Sequence, residues 1–85
     1  MNILNEMNIK FLAKSVNESF ARSVVSAFVM SLDPTIAELS DIKTAVSEAV
    51  TNCIVHAYPE QRGKVYINAK ILEDRKVIIK IRDTG

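Results

Sequence analysis

The sequence is poor in the residues that staple, interrupt or anchor a chain: it has one cysteine, two glycines and two prolines in 85 residues. A lone Cys53 cannot close an internal disulfide, and no spaced Cys/His cluster offers a set of metal ligands, so a reducing, cytoplasmic setting is expected. With so few glycines and prolines there is no linker, and neither an internal repeat nor a low-complexity tract divides the chain. No apolar run approaches the ~20 residues of a membrane span. The opening Met1 to Asn8 has no basic region ahead of an apolar one and does not read as a signal peptide. Excess charge of one sign is also missing, eleven basic against ten acidic residues leaving a net +1. A field that weak attracts neither a phosphate backbone nor an anionic bilayer, so nucleic acid and membrane are not expected as direct partners.

What is present is an ordinary globular composition, 48% hydrophobic and 25% charged. The length allows one domain with a thin core, because so small a domain buries only about 60% of the surface its unfolded chain exposes. Met7, Ile9, Phe11 and Ala13 alternate with Asn8 and Lys10, which predicts a half-buried strand in which Leu12 breaks the polar side. Ser15-Val16-Asn17-Glu18 then has capping-box spacing, and a helix should follow. Its apolar stripe is read as Phe20, Val24, Phe28 and Leu32, with Ala21, Val25 and Val29 beside it, and Asp33-Pro34 should end it. Thr35-Ile36-Ala37-Glu38 repeats the capping spacing. The run to about Tyr58 carries Leu39, Ile42, Val46, Ala49, Val50, Cys53 and Ala57 at helical intervals, up to Pro59 and a polar turn at Glu60-Gln61-Arg62-Gly63, whose glycine can take positive φ. The period then becomes two: Val65, Ile67, Ala69 and Ile71, a turn at Glu73-Asp74-Arg75, and Val77, Ile79 and Ile81, together predicting a hairpin. Strand, helix, helix, strand, strand argues for an α+β two-layer sandwich with helices on one face of an antiparallel or mixed sheet.

The stretch most suggestive of chemistry is Glu48 to Ala57, where Glu48, Asn52 and His56 fall at i, i+4 and i+8. These occupy a helical strip about 80° wide, flanked by Ala49 and Cys53, and partial desolvation of the strip is expected. A carboxylate, an amide oxygen and an imidazole on successive turns can activate a hydroxyl and hold a hard cation through oxygen. The same spacing also makes a solvated face or a local hydrogen-bond ladder. Glu18 and Arg22, at i and i+4 on the first helix, read on their own as a solvated ion pair.

Glu48-x-x-x-Asn52-x-x-x-His56-Ala57 resembles the N box of the GHKL (Bergerat-fold) ATPases, and Asp83-Thr84-Gly85 after a strand resembles the start of that superfamily's second nucleotide motif. Asn17 to Arg22, Leu32 to Thr35, Ser47 to Asn52 and Gly63 to Ile67 are similar to the anti-sigma F factor family, over essentially the whole chain. The resemblance implies that residues 1–85 are the amino-terminal part of a single GHKL ATPase domain. ATP and Mg2+ are then the implied cofactors, with Glu48 as general base toward a substrate serine and Asn52 holding the Mg2+ that bridges the phosphates. Asp83 would accept from the adenine amine, Gly85 would let the backbone approach the base, and His56 would orient its neighbours or help shape the nucleotide pocket, where a lone histidine near an apolar face is more often a structural group than a catalyst. Glu18 and Arg22 would meet a sigma factor of the sigma F type and, alternatively, an anti-anti-sigma protein. A homodimer is also implied, with Phe11 or Leu12 facing the second copy.

Cys53 departs from the small residue, commonly alanine, found there in that family, and a small hydrophobe is expected to be tolerated. The lid over the phosphates, the later glycine box and the remaining strands of the fold have no counterpart in these residues. The 85 residues are therefore expected to be marginally folded alone and to neither hold ATP tightly nor phosphorylate a partner. The readings that stay open are an anti-sigma kinase of sporulation, its counterpart in the general stress response, and a non-catalytic module binding a sigma factor or an anti-anti-sigma protein. A sensor histidine kinase would need a phosphoacceptor helix pair upstream, for which these residues leave no room.

Overall fold

The alternating segments pair as a three-stranded antiparallel sheet ordered β1-β2-β3, with β1 at Ile3–Leu12, β2 at Lys64–Leu72 and β3 at Lys76–Asp83. The computed structural model describes residues 2–59 and 63–84. Two helices, α1 (Asn17–Val29) and α2 (Ile36–Ala57), lie between β1 and β2 in the chain. They cover one face of the sheet, as two-layer packing requires when each element has a single apolar side. No helix among the described residues is long and apolar enough to cross a membrane.

The central strand sets the core. Val65, Ile67, Ala69 and Ile71 alternate inward and are buried, and Val65 and Ile67 make one apolar cluster with Phe11, Ala13, Ala21, Val25, Val46, Val50 and Cys53. No polar or charged side chain is buried among the described residues. Opposite the helices the sheet presents Lys10, Tyr66, Asn68, Lys70, Lys80 and Arg82, with the Arg82 guanidinium 4.2 Å from the centroid of the Tyr66 ring. Phe11 is taken up by the core, edge-on to Phe20 at 5.9 Å between ring centroids. Phe11 is therefore not free to face a second copy, whereas Leu12 is exposed.

Several local expectations shift in the folded chain. β1 begins at Ile3 rather than Met7, because the register with β2 continues through an irregularity between Ile3 and Asn5. The first capping box does not form: the N-cap of α1 is Val16, itself in the helical region, with no side-chain cap, and Asn17 instead donates its side-chain amide to the Leu12 carbonyl at 2.8 Å. The buried stripe of α1 is Ala21, Val25 and Val29, one residue on from the larger apolar series, and Phe20 stays half exposed. Small side chains there let α1 come close to α2. After Val29 the chain tightens into a 3-10 turn at Met30–Leu32, and Asp33 takes a left-handed conformation (φ 51°, ψ 56°) ahead of Pro34.

The second capping box does form. Glu38 N–H donates to Thr35 Oγ1 at 3.0 Å, and Thr35 N–H donates to Glu38 Oε1 at 2.9 Å. The α2 helix ends at Tyr58-Pro59, a cis peptide bond. Of the expected turn beyond it, Glu60, Gln61 and Arg62 lie outside the described residues. Gly63 has no positive φ. It serves close packing instead, since a Cβ there would sit 3.4 Å from the Ala57 Cβ and 3.8 Å from that of Ala13. The hairpin turn is as expected, with Asp74 (φ 63°) and Arg75 (φ 61°) both left-handed between Glu73 and Lys76, a type I′ arrangement that follows the right-handed strand twist. Arg75 also reaches Glu38 Oε1 at 3.5 Å, joining the hairpin to the start of α2.

Thr35→Ala is expected to lower stability by about 1 kcal/mol through loss of the cap, while Ser15→Ala should change it by at most a few tenths. Urea denaturation of the two variants side by side checks the contrast, and equal losses would mean that both boxes form in solution. Glu38 is held below the usual carboxylate range by hydrogen bonds from the Thr35 backbone and side chain, with the Arg75 charge adding to them. Because the folded state lowers this pKa, the contribution is present above the ordinary glutamate range and is lost as pH falls through the lowered value. Glu38→Gln should therefore narrow the gap in melting temperature between about pH 7 and about pH 3, and an unchanged gap would remove Glu38 from the acid response.

Candidate functional site

The rotation of α2 decides where its polar residues stand. Val46, Val50 and Cys53 face the core. At about 100° per residue, Glu48 points roughly 170° from the centre of that buried stripe, Asn52 roughly 130° and His56 roughly 90°. All three are exposed, so the partial desolvation expected from their apolar neighbours is not what the fold provides. The burial of α2 is confined to a stripe that the polar strip does not overlap. Each i to i+4 step carries the strip about 40° further round the helix, from the side opposite the core toward the side that faces β3.

That crest separates two grooves. On one side Glu48 shares a polar groove of about 570 Å³ with Arg22 of α1 and with Ser40, Lys43, Thr44 and Ser47 of α2. Glu48 and Asn52 line its continuation with Ser47 and Thr51. On the other side Ile42, Ala45, Val46 and Ala49 of α2 face Ile79 and Ile81 of β3 across an apolar groove of about 380 Å³. Strand alternation puts Asp83 on the same face of β3 as Ile79 and Ile81, so its carboxylate follows this apolar wall. A flat apolar ring fits such a slot, and a carboxylate on the same strand face can accept a hydrogen bond from the edge of a bound ring.

The structure thus joins some of the candidate residues and separates others. Glu18 and Arg22 do pair, at 3.4 Å, with the Arg22 side chain 42% exposed and that of Glu18 24% exposed, so the pair is less solvated than the sequence reading implies. Ser26 steadies this turn by donating its hydroxyl to the Arg22 carbonyl at 2.7 Å. Arg22 and Glu48, read separately from the sequence, line one groove. His56 Nδ1 lies 3.4 Å from Asp83 Oδ2, joining the last turn of α2 to the end of β3. Burial first, and the nearby Asp83 carboxylate second, push the pKa of the Cys53 thiol up. The expectation for Gly85 lies outside the described residues.

No group of three or more His, Cys, Asp or Glu among the described residues could hold a metal ion unaided. A single exposed amide oxygen, that of Asn52, suits a magnesium ion that keeps phosphate and water ligands and takes one from the protein. The sequence reading missed the apolar groove itself, treating Ile42, Val46 and Ala49 only as core. A signal for it was available in Ala45 and Ala49, two small residues on one side of α2 that leave room opposite the larger Ile79 and Ile81.

Similarities to known proteins bear on this geometry. The sequence model of the histidine kinase-like ATPase domain matches residues 11–85. Anti-sigma F factor of Caldanaerobacter subterraneus subsp. tengcongensis is 60% identical over 85 residues, all of this chain and 59% of that protein. The proteins of the same name from Clostridium acetobutylicum and Bacillus licheniformis are 54% and 58% identical, over 95% of this chain and 56% of their own. The chain therefore spans somewhat over half the length of these relatives.

Exposed residues without side-chain partners should be separable from stability. Glu48→Ala and Asn52→Ala are each expected to shift unfolding by less than about 0.5 kcal/mol, against about 2 kcal/mol for Val50→Ala in the core. Chemical denaturation measures all three, and a large loss at Glu48 would show that it supports the fold.

Proposed function

The chain belongs to the histidine kinase-like ATPase family, and from that premise we propose that it is the amino-terminal part of an anti-sigma factor that binds and inhibits a sporulation sigma factor of the sigma F type. In its complete form the protein also phosphorylates an anti-anti-sigma protein on serine, using ATP with Mg2+. The relatives' names support the binding role. The observation that supports the catalytic role is the crest on α2, where Glu48 and Asn52 stand between a polar groove that reaches Arg22 and an apolar groove walled by Ile79 and Ile81, with Asp83 further along the same face of β3.

On this reading each groove has one occupant. A partner protein lies along the polar groove, with Arg22 as a contact and Glu18 holding the guanidinium in place. Its serine hydroxyl then reaches Glu48, whose carboxylate is exposed and takes the hydroxyl proton as the oxygen becomes a nucleophile. In the apolar groove, Ile79, Ile81, Ala45 and Ala49 exclude water from a base, and Asp83 accepts from its exocyclic amine. Asn52 offers its side-chain oxygen on the same crest as Glu48, where it can ligate a magnesium ion associated with the phosphates. Bound Mg-ATP supplies the phosphoryl group and the neutralising charge. The chain's own part is positioning, which is most of what phosphoryl transfer asks of a protein. The homodimer and a cytoplasmic setting belong to the same proposal.

The test uses the complete natural reading frame, mixed with Mg-ATP and a candidate anti-anti-sigma protein and followed by intact mass. One phosphate should move to a partner serine, and Glu48→Ala or Asn52→Ala should each slow transfer by about 100-fold or more. Arg22→Ala should weaken association with the sigma factor. If no phosphate moves while Arg22-dependent binding persists, the kinase half of the proposal fails and a binding module remains.

A further inference from the structure

Asp83 is engaged from the side by α2. Its Oδ2 lies 3.4 Å from Nδ1 of His56, across 27 residues of sequence, and the Cys53 thiol, three residues before His56 and so on nearly the same helix face, is near enough for the same carboxylate to raise its pKa. The His56 side chain is 70% exposed, so it is not a core group that happens to pass nearby, and that of Asp83 is 26% exposed. Burial and the adjacent carboxylate both raise the Cys53 pKa, which keeps its thiol protonated and therefore a donor. The contact with His56 takes one of about four acceptor positions that a carboxylate offers, so it orients Asp83 without exhausting it.

We propose that His56 is a positioning residue for Asp83: through Nδ1 it fixes the carboxylate at the end of β3, on the strand face that walls the apolar groove, and it thereby sets which purine base is accepted there. The inference rests on the nucleotide-binding reading above and adds the source of base selection. A carboxylate held in one orientation rewards a base that presents an exocyclic N–H at that point. Against a base that presents a carbonyl there, acceptor meets acceptor and both lose their water without a partner, the kind of mismatch that discriminates most steeply. A carboxylate free to rotate could turn away and soften that penalty. The contact with His56 opposes the turn.

The test again uses the complete reading frame, comparing wild type, His56→Ala and His56→Asn by competition of ATP and GTP against a fluorescent nucleotide. Wild type should prefer ATP. His56→Ala should lose about tenfold of that preference, mainly through weaker ATP binding, and His56→Asn, which places an amide N–H near the position of Nδ1, should recover most of it. A preference unchanged in His56→Ala overturns the proposal, and so does a loss that His56→Asn does not restore, because the imidazole would then act by another route. The carboxyl carbon shift of Asp83 in the nucleotide-free protein supplies a second readout. It should move in His56→Ala and return toward wild type in His56→Asn, and no movement overturns the positioning itself. If wild type binds neither nucleotide, the nucleotide-binding reading fails and base selection fails with it, whereas binding of ATP together with a silent His56→Ala defeats only this inference.

Discussion

Burial of Val46, Val50 and Cys53 locks the rotation of α2 about its own axis, and the functional geometry depends on that lock. Side chains on a helix have no independent choice of direction; once one stripe is committed to the sheet, the others follow at fixed angles. A slip of one residue would turn the helix by about 100° and carry Glu48 from the crest toward a flank. The layer that prevents this is made chiefly of valine, alanine and isoleucine on α1, α2 and β2. Such short or branched side chains have few rotamers, so the interface tolerates little sliding. The core is thin, but it is well suited to holding an angle.

From that angle the two grooves follow. α1 packs against α2, with Ala21, Val25 and Val29 as its buried side chains, and Arg22 comes alongside Ser40, Lys43 and Glu48. On the opposite flank the small Ala45 and Ala49 fall short of Ile79 and Ile81, which opens the apolar slot. Asp83 lies on the same strand face as Ile79 and Ile81 because β3 keeps its inward alternation to its last residue. The type I′ turn at Asp74-Arg75 sets the register of β3 against β2, and the Arg75–Glu38 contact ties that turn to the capped start of α2. The hairpin and the helix that together form the slot are thus linked at the end remote from Asp83.

The periodic elements were legible in the sequence because their signals are local. The inward series of β2, Val65 to Ile71, and the helix from Thr35 to about Tyr58 are where the pattern puts them. What escaped depended on three-dimensional context. Ser15 and Thr35 have the same spacing to a glutamate, yet Thr35 is an N-cap with the extended backbone (φ −67°, ψ 163°) that a capping residue needs, whereas the N-cap of α1 falls on Val16, in the helical region (φ −61°, ψ −23°). Where Ser15 might have capped, the chain leaves β1 through a tight turn, with Asn17 N–H donating to the Lys14 carbonyl at 2.8 Å. The shift of the α1 stripe from the phenylalanines to Ala21, Val25 and Val29 has the same origin, since size alone does not say how closely the neighbouring helix approaches. For the site, Glu48, Asn52 and Asp83 were visible through their resemblance to a motif. The meeting of His56 and Asp83 was not, being a contact between the ends of two elements far apart in sequence.

The placement of ionisable groups also separates folding from chemistry. No polar or charged side chain is buried among the described residues, so the fold carries no desolvated charge that must be compensated elsewhere. A carboxylate in water is a poor general base because solvent stabilises its charged form; removing that solvent raises its proton affinity. Glu48 is exposed on the crest. On the proposed reading, the partner that fills the polar groove is therefore also what desolvates the base, and the carboxylate becomes reactive when a hydroxyl is in place to use it. Coupling the two events in this way makes the partner's fit to the groove part of the chemical step, because a partner seated loosely beside Arg22 would leave water around Glu48.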